Sequence, residues 1–382
     1  MMNKVPTDKN KIKLLIVSVG SLVGQNILDA LEYPEFYRRH HFSISGTNSL
    51  SYSANNFRCD ECFLVPPTAS DVYPERMKEI IHKTEPDLIL TARDADTIAI
   101  KKLKIEDDSL PGEICYGSIQ SIEYALHKWK SFQFCDKHNL PFASSWFREP
   151  GKDFESLLTF IESVSYPLIV KPVEGFASKG VYFVRNRDEA LYFFKQKDSL
   201  FQEYLGKSEV IESYLKHLDG PKPLFTQVPA VSHHTCHIPI SPDGTIGEVF
   251  VLKNHHNFGA VTQLQRVHHP ELEELALRFA KAFVKEGGCG PLSVQFRPDK
   301  RGIQKAQEMN LRTTGSTLPR LIMGQDEIGY IVRGCLPELN FPLYTRAPDQ
   351  GYSTIVTKSL NSYKMSKKDI DSLEQSNYWG SE

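Results

Sequence analysis

The stretch LSVQFRPDKRGIQKAQEMNLRTTGST, which begins at Leu292, restricts the possible folds more than any other part of the chain. Its opening SVQFR alternates polar and apolar residues with the period of two that is typical of a β-strand. The following PDKRG contains residues that favour a tight turn, and IQKAQEMN is again an extended run. We therefore expect two strands joined by a polar turn at the centre of the molecule.

Three oxygen-bearing side chains of this strand pair are candidates for binding a metal ion. Glu308 and Asn310 are two residues apart on one strand, so their side chains point to the same face. Gln295 on the other strand converges on them if the register allows it. One carboxylate with two amide oxygens suits Mg²⁺, which usually leaves positions for water and substrate phosphates. Arg312 adds a cation just beyond, whereas a Glu-x-Asn triplet alone is also typical of a solvated strand end.

Composition limits the class of protein. A chain of 382 residues is long enough for two or three domains. With a net charge of −2 and 24% charged residues, it has no basic excess that would indicate a nucleic-acid partner. It contains no apolar run near the roughly 20 residues of a membrane span and no apolar signal-peptide core. Its seven scattered cysteines predict reduced thiols, so we expect a cytoplasmic protein.

The N-terminal part predicts a parallel sheet. Residues 11–19 are largely apolar, as in a strand buried on both faces, and a GSLVG turn then leads into a helix at 25–33. Further strands are expected at 41–47, 62–65 and 87–91, and a helix at 73–84. This alternation is typical of a Rossmann-like sheet covered by helices.

Two ligand hypotheses concern this sheet. The sequence SVGSLVG is not a clean GxGxxG, and no acidic residue follows at the expected place, so a nicotinamide cofactor is the weaker one. Arg93, Asp94 and Asp96 follow the strand at 87–91, at the carboxyl edge where open α/β sheets bind ligands. These three residues are therefore candidates for contacting a substrate.

The middle of the chain predicts a phosphate-binding loop. A helix at 121–139 contains Lys128, and a helix at 154–163 precedes a strand at 166–172 that ends near Lys171. The loop VEGFASKG then connects to a strand at 181–184. Such a loop can present backbone N–H groups and a lysine charge to phosphates.

Helices are predicted at 188–195, 199–218 and 271–284, an apolar strand with a proline break at 223–231, and an irregular polar tail beyond Thr345. His233, His234, Cys236 and His237 suggest a zinc site. On a strand, however, His233 and His237 share one face while His234 and Cys236 share the other, and no second ligand pair has finger spacing. Zinc is therefore disfavoured.

Four features in this order resemble the ATP-grasp superfamily: VKP with Lys171, the loop GFASKG, the interrupted strand at 227–231, and Gln295 followed by Glu308-Met-Asn310-x-Arg312. The last block is especially similar to the carbamoyl-phosphate-synthetase-like branch. The resemblance covers residues 121–342. It implies an α/β and α+β architecture, with an N-terminal Rossmann-like parallel sheet domain followed by a two-lobed ATP-grasp domain. The implied boundaries are 1–120, 121–345 with a lid lobe at about 166–232, and a C-terminal tail at 346–382.

The resemblance also implies roles for individual residues. Lys128 and Lys171 would contact the ATP phosphates, the latter also on the adenine side. The lid over the phosphates would contain Gly175, Ser178 and Gly180. The adenine hinge would contain Gln227, Pro229 and Val231, with His234 near the ribose. The segment FQEYL at 201–205 also resembles a hinge, but it follows the lid too closely to leave room for a separate helix.

At the reaction centre, the resemblance implies that Gln295, Glu308 and Asn310 hold Mg²⁺ and that Arg312 stabilises the transferred phosphoryl group or acyl phosphate. Leu311 stands where the family usually has proline, and the hinge at 227–231 lacks the usual acidic residue. Leu311 affects the predicted placement of Arg312, and the missing acidic residue affects the predicted binding of the nucleotide.

The implied function is a Mg²⁺/ATP-dependent ligase that joins a carboxylate to an amine on small, amino-acid-like molecules through an acyl phosphate. The implied cofactors are ATP and one or two Mg²⁺ ions, with Mn²⁺ as a substitute. We expect no nucleic-acid or membrane partner, and a homodimer is a natural assembly. Two alternatives stay open: a nucleotide-binding regulatory module of the same fold without ligase activity, and an NAD(P)-dependent oxidoreductase that uses the Gly20–Gly24 turn.

Overall fold

The computed structural model describes residues 11–175, 180–196, 198–217, 233–257, 260–359 and 362–380. Within these ranges the chain forms three sheets of five, six and four strands. Helices cover the sheets, and none of the helices in these ranges is both long and apolar enough to cross a bilayer.

Four strands of the five-stranded N-terminal sheet are parallel, as the sequence predicts. They are β1 (Ile12–Val17), β2 (Phe42–Asn48), β3 (Glu61–Leu64) and β4 (Leu88–Thr91), in the order β3-β2-β1-β4, and the fifth strand comes from the C-terminal segment. The covering helices are α1 (Leu22–Leu31), α2 (Tyr73–Thr84) and α3 (Asp94–Glu106). The strands are buried on both faces, which explains their continuous apolar runs.

A connector of two helices follows, α4 (Ile119–Leu126) and α5 (Lys128–Lys137). The prediction of one helix over 121–139 is wrong at His127, whose extended backbone (φ −100°, ψ 107°) ends α4 and begins α5. The His127 imidazole accepts a hydrogen bond from the Lys130 N–H (3.3 Å) and so caps α5. Lys128 is therefore the first residue of a helix, not part of a helix interior.

The small sheet has the order β5-β8-β6-β7, with antiparallel neighbours. Its strands are β5 (Ser145–Phe147), β6 (Leu168–Pro172), β7 (Tyr182–Val184) and β8 (Ser199–Glu203). Its helices are α6 (Phe154–Val164), α7 (Arg187–Phe194) and α8 (Ser208–His217). The prediction of a helix throughout 199–218 is wrong for 199–203, because pairing with β5 and β6 on both sides makes this segment a central strand.

The large sheet has the order β13-β12-β9-β10-β11-β14 and antiparallel neighbours. In chain order, its strands are β9 (His233–Ile240), β10 (Phe250–Asn257), β11 (Ala260–Arg266), β12 (Gly290–Pro298), β13 (Gln304–Leu311) and β14 (Ile355–Thr357). Helix α9 (Pro270–Lys285) covers one face, where Phe279 packs edge-on against Phe296 at 5.5 Å between ring centroids. Helices α10 (Thr317–Ile322) and α11 (Glu327–Cys335) follow β13.

The C-terminal segment is ordered into four short elements, so the prediction of an irregular tail is wrong. They are α12 (Pro348–Ser353), β14 (Ile355–Thr357), α13 (Lys367–Ser376) and β15 (Tyr378–Gly380). β14 pairs with β11 at the edge of the large sheet, and β15 pairs antiparallel with β3 of the N-terminal sheet. Strands of three residues are too short to show a periodic pattern, and their partners are distant in sequence.

Candidate functional site

The register of β12 and β13 brings the three predicted oxygen donors together. Gln295 lies directly opposite Glu308, and Asn310 lies opposite Ser293, so all three side chains share one face of the large sheet. The other face carries Val294 and Phe296, which are fully buried beneath α9. Packing on that face fixes the register and thereby the positions of the oxygen donors.

The oxygen atoms of these side chains have lone pairs available to coordinate a cation. In the described ranges no hydrogen bond engages the Glu308 carboxylate, and Gln295 Oε1 accepts one long hydrogen bond (3.3 Å) from Gln307 Nε2. No three His, Cys, Asp or Glu side chains of the described residues are arranged to hold a metal. One carboxylate with amide oxygens nevertheless fits Mg²⁺ when nucleotide phosphates complete the coordination.

Lys171 reaches this face from the small sheet. Its Nζ donates to the Gln307 carbonyl of β13 at 3.0 Å, and the side chain is only 7% exposed. Burial lowers the pKa of Lys171 to about 8; the Glu308 carboxylate opposes this shift, while the cations Lys128 and Arg297 add to it. Lys171 is therefore a desolvated cation beside the one carboxylate of the site.

Lys128 lies beside Lys171, at the base of the predicted lid. Its backbone N–H donates to the Val173 carbonyl (2.9 Å), and its Nζ donates to the Gly175 carbonyl (3.2 Å). Gly175 (φ 153°) and Gly180 (φ 75°) bracket the lid loop in conformations that favour glycine. Ser178, the third predicted lid residue, lies outside the described residues.

Arg297 is a site residue that the sequence analysis did not select. It follows Gln295 on the same face of β12, as the alternation of SVQFR indicates. Its Nε is buried and makes no hydrogen bond in the described part of the chain, and burial lowers the pKa of its guanidinium. Arg297 and Lys128 both lower the pKa of Lys171, so the three cations lie close together, and of these Lys171 lies beside Glu308. This charge distribution favours a polyanion.

The predicted hinge residues Gln227, Pro229 and Val231 lie outside the described residues. Among the described residues, Glu203 and the two residues that follow it contact both the small and the large sheet. The Glu203 carboxylate accepts from the Ser144 N–H (2.7 Å) and forms an ion pair with Lys305 of β13 (2.7 Å).

The two residues after Glu203 divide between the lobes. Tyr204 packs in a cluster with Ile169 of the small sheet and Ile211 of α8, whereas Leu205 belongs to the large core. The segment FQEYL at 201–205 therefore contacts both lobes, and it carries an acidic residue. The prediction that this segment leaves no room for a separate helix is wrong, because 199–203 is a strand and α8 follows it.

His234, predicted near the ribose, points away from the oxygen donors. Its ring packs against His269 (5.3 Å between centroids), and burial lowers its pKa to about 4. Its neighbour His233 faces the other side, with Nε2 at 3.3 Å from Asn254 Nδ2, which also donates to Thr235 Oγ1 (2.6 Å). Because side chains on a strand alternate between its two faces, a shift of one residue in the alignment with the family would exchange the positions of His233 and His234.

Arg312 meets the N-terminal domain. Its Nε lies 2.5 Å from Asp94 Oδ1 and its Nη2 lies 3.4 Å from Oδ2, a bidentate pair. Asp94 begins α3 at the carboxyl end of β4, so this substrate candidate lies at the site. Asp96 does not, because it is fully buried and accepts from Thr68 Oγ1 at 2.7 Å; burial raises its pKa. Arg93 lies at the start of α3 and is partly exposed.

The glycine turn after β1 serves packing. A Cβ on Gly20 would lie 2.0 Å from Asn48 Nδ2, and one on Gly24 would lie 2.3 Å from the Val19 carbonyl oxygen. The space beside the turn is thus filled by the Asn48 side chain and by the adjoining backbone. This close approach explains both glycines without a dinucleotide.

Comparisons with known proteins bear on the family and the fold. Residues 128–318 match the family described as carbamoyl-phosphate synthase L chain, ATP binding domain. The structure resembles the ADP complex of purK, an N5-carboxyaminoimidazole ribonucleotide synthetase, at 18% identity and a TM-score of 0.62, covering 88% of this chain and 78% of that one. The same synthetase from Thermotoga maritima gives 16% and 0.59, with 87% and 77% covered.

A third solved structure is the biotin carboxylase domain dimer of 2-oxoglutarate carboxylase from Hydrogenobacter thermophilus, in complex with MgADP, ADP and bicarbonate. It is 14% identical with a TM-score of 0.62, covering 85% of this chain and 70% of that one. No curated protein matches the sequence. The likeness covers 85–88% of this chain, and the mixed α/β fold is the one expected from the sequence.

Proposed function

The chain belongs to the family of the carbamoyl-phosphate synthase L chain, ATP binding domain, within the ATP-grasp ligases, and we propose that it joins a small-molecule carboxylate to an amine through an acyl phosphate. One observation carries the proposal. The Glu308 carboxylate lies with two amide oxygens on one face of the sheet, and it faces the buried Lys171 of β6, whose charge is also influenced by the cations Lys128 and Arg297. This arrangement is suited to a nucleotide triphosphate and a divalent cation.

The chemistry requires activation of a poor electrophile. In the first step a substrate carboxylate oxygen bonds to the γ-phosphorus while the bond to the β–γ bridging oxygen breaks, which releases ADP. In the second step the amine attacks the acyl carbon, phosphate leaves with its oxygen, and the amine loses a proton. Phosphoryl transfer depends on alignment and charge neutralisation, so no protein nucleophile is needed.

The cations of the site bind and orient the phosphates in this proposal. Lys171, Lys128 and Arg297 neutralise the phosphates, while the loop from Gly175 through Ser178 to Gly180 closes over them and excludes water. When bound, one or two Mg²⁺ ions, or Mn²⁺, would be held by Gln295, Glu308 and Asn310 and would neutralise phosphate charge.

The adenine hinge is assigned to residues 203–205. The crossing between the lobes and the acidic Glu203 support this assignment over 227–231, which stays a prediction from the sequence. The backbone of Tyr204 and Leu205 would hydrogen-bond the adenine edge, since the chain leaves the regular ladder of β8 at this point.

Arg312 stabilises the negative charge of the acyl phosphate. Asp94 orients its guanidinium through the bidentate pair and so couples the N-terminal sheet to the reaction centre. Leu311, where the family usually has proline, is fully buried on the opposite face, so this departure leaves the site face unchanged. The regulatory-module alternative relied on Leu311 and on an acid-poor hinge, and both points are weakened by the geometry.

The solved relatives support the substrate classes. The biotin carboxylase domain was solved with MgADP and bicarbonate, a small oxyanion with the same CO₂⁻ group as a carboxylate, and as a dimer. By analogy a small carboxylate is the acid, and a homodimer is our proposal for the assembly. Light scattering on the purified protein distinguishes a monomer from a dimer.

The test is release of ADP and phosphate with a panel of acid–amine pairs that includes bicarbonate as the acid. We expect turnover that requires both ATP and a divalent cation and that Glu308→Ala and Lys171→Ala abolish. Turnover that both variants leave intact would show that the assigned site is wrong. ATP binding by calorimetry without product from any pair would favour the regulatory module.

A further inference from the structure

Arg320, on α10, is fully buried behind the loop 312–316, which connects β13 to α10. Its Nη1 donates to Thr314 Oγ1 in this loop (2.9 Å) and to His237 Nε2 on β9 (3.1 Å). Its Nη2 is paired with Glu327, the first residue of α11. One guanidinium therefore joins the loop, the large sheet and α11.

His237 brings this network onto the sheet face that carries the oxygen donors. It lies opposite Ser293 of β12, which in turn lies opposite Asn310 of β13, so the three side chains form one row. An arginine can only donate, so His237 Nε2 accepts and Nδ1 carries the ring proton. Burial, together with the charge of Arg320, lowers the pKa of His237 well below its usual range and keeps the ring neutral.

The loop 312–316 is held from both sides. At its start, Arg312 is paired with Asp94 of the N-terminal domain (2.5 Å). Further along, Thr314 Oγ1 accepts from the Ser316 N–H (3.2 Å) as well as from the guanidinium. The contact with α10 thus fixes the part of the loop that lies beyond the pair with Asp94.

The carboxylate that holds Arg320 is itself fixed. Glu327 accepts from Thr317 Oγ1 of α10 at 2.6 Å. The preceding residue, Asp326, caps α11 and is paired with Arg38 of the N-terminal domain at 2.6 Å, with both side chains 1% exposed. The position of Arg320 is therefore set by α11 and, through α11, by the N-terminal domain.

Stability alone does not account for a charged group at this place. Burying an ion pair has a desolvation cost that often offsets its attraction, and apolar side chains of similar volume can replace such a pair without loss of stability. A guanidinium adds direction, because its N–H groups lie in a rigid plane and reach several acceptors at fixed angles. Direction matters where a loop has to hold a charged side chain in alignment with a reacting group.

We propose that Arg320 is a positioning residue. Through Thr314 it holds the loop 312–316, and with it the guanidinium of Arg312, in alignment with the phosphoryl group that is transferred. Arg320 does not touch the substrate in this proposal. The reaction that is positioned rests on the proposed ligase function, whereas the holding of the loop does not.

Hydrogen exchange of the intact protein, measured by mass spectrometry, tests the holding of the loop. Arg320→Lys keeps a charge for Glu327 but loses the planar fork that reaches both Thr314 and His237. The amides of 312–316 should then exchange at least about tenfold faster, as expected when a hydrogen bond from a charged donor is lost. Arg278→Lys, exposed on α9, is the matched control and should not change them.

A second variant removes the acceptor from the loop instead. Thr314→Val is close to isosteric at a half-buried position, and the same peptide should again exchange faster. Thermal midpoints show which variants are folded. Unchanged exchange of 312–316 in a folded Arg320→Lys protein overturns the proposal, and if that protein does not fold, Thr314→Val decides in the same way.

Steady-state kinetics with an active acid–amine pair separate positioning from a structural role. Thr314→Val should lower the kcat for ADP release about 10- to 100-fold, as for a misaligned catalytic group, and leave the KM for ATP unchanged. Thr314→Ser keeps the hydroxyl and should restore most of the kcat. Thr159→Val, which removes an exposed hydroxyl on α6, is the control. A lower thermal midpoint with an unchanged kcat would show that the network is only structural.

The double variant tests whether Arg320 acts through Thr314. Arg320→Lys and Thr314→Val remove the same contact, so the double variant should lose no more kcat than the more damaging single variant. Losses that multiply would contradict the proposed route.

Failure of the positioning role is distinguishable from failure of the ligase function. If no acid–amine pair gives ADP but loop exchange responds to Arg320→Lys, the ligase proposal falls and the holding of the loop stands. If ADP release responds to Glu308→Ala but not to Thr314→Val, the ligase stands and the positioning role falls.

Discussion

The β12–β13 pair and the elements around it contribute to the same cleft in different ways. The pair supplies the oxygen donors Gln295, Glu308 and Asn310 from one short stretch, at positions fixed by strand register. The cations come from three elements: Lys128 from α5, Lys171 from β6 and Arg297 from β12 itself. The predicted metal ligands are thus local in sequence, whereas Lys128 and Lys171 are brought near them by tertiary structure.

The oxygen donors and Lys171 also lie on different sheets. The oxygen donors lie on a sheet whose reverse face is packed beneath α9. Lys171 belongs to the small sheet, which contacts the large sheet through the Lys171–Gln307 hydrogen bond and through the Glu203–Lys305 ion pair. Closure of one lobe on the other would change the distance from cation to carboxylate without disturbing the oxygen donors.

The largest expected effect comes from the oxygen face. Glu308→Gln is isosteric but removes the one carboxylate of the donor set, so ADP release should fall by about 10²–10³-fold, as for a lost electrostatic group. Glu274→Gln, exposed on α9, is the matched control and should keep full activity. If Glu308→Gln turned over within a few-fold of the wild type, the carboxylate would not be needed at this position, and the contrast between the oxygen donors and the cations would be contradicted.

The next largest effect concerns Lys171. Loss of its charge should stabilise the free protein but weaken ATP binding. Lys171→Met removes a buried charge, so the thermal midpoint of the free protein at pH 7 should rise, while the Kd for ATP should increase about 10- to 150-fold. Lys195→Met, at an exposed position after α7, should change neither quantity. A less stable Lys171→Met protein with unchanged ATP affinity would contradict the account.

The pH dependence of ATP binding sharpens the same point. The pKa of Lys171 is lowered to about 8, so the free protein loses this charge as the pH rises above 8, while bound phosphate retains it. Between pH 7 and 9 the Kd for ATP should therefore increase by up to about tenfold. Lys171→Arg should remove this dependence. For stability the sign is reversed: the charge is a penalty below pH 8 that diminishes between about 8 and 10.5.

The smallest expected effect concerns the contact between the N-terminal sheet and Arg312. Asp94→Ala breaks a partly buried pair, so the free energy of unfolding should fall by about 1 kcal/mol and the kcat for ADP release by about fivefold. Glu79→Ala breaks an ion pair confined to α2 and should leave kcat unchanged. An equal kcat in both variants would remove Asp94 from the positioning of Arg312.

The parts that could be predicted are those with local periodicity. The alternation around Gln295 and Glu308 indicates both strands and the shared face, and the apolar runs indicate β1 to β4. Arg297 could have been selected by the same alternation. The break at His127 carries no periodic signal, since it depends on one extended residue that caps the next helix.

Other features could not be predicted because they depend on distant partners. The strand 199–203 takes its form from pairing with β5 and β6, and the short strand β15 takes its form from β3. The contacts of Arg312 with Asp94 and of Lys358 with Gly315 join segments whose sequences contain no sign of each other. Sequence alone therefore indicates the oxygen donors and the cations Lys128, Lys171 and Arg312, but not the distant partners that position them.

The most direct test of the central claim is anomalous diffraction from crystals grown with Mn²⁺ and a non-hydrolysable ATP analogue. We expect an anomalous peak at about 2.0–2.3 Å from an oxygen of Glu308, with Asn310 or Gln295 in the same coordination sphere and nucleotide phosphates completing it. A nucleotide-bound ion that lies away from the paired strands β12 and β13 would contradict the account.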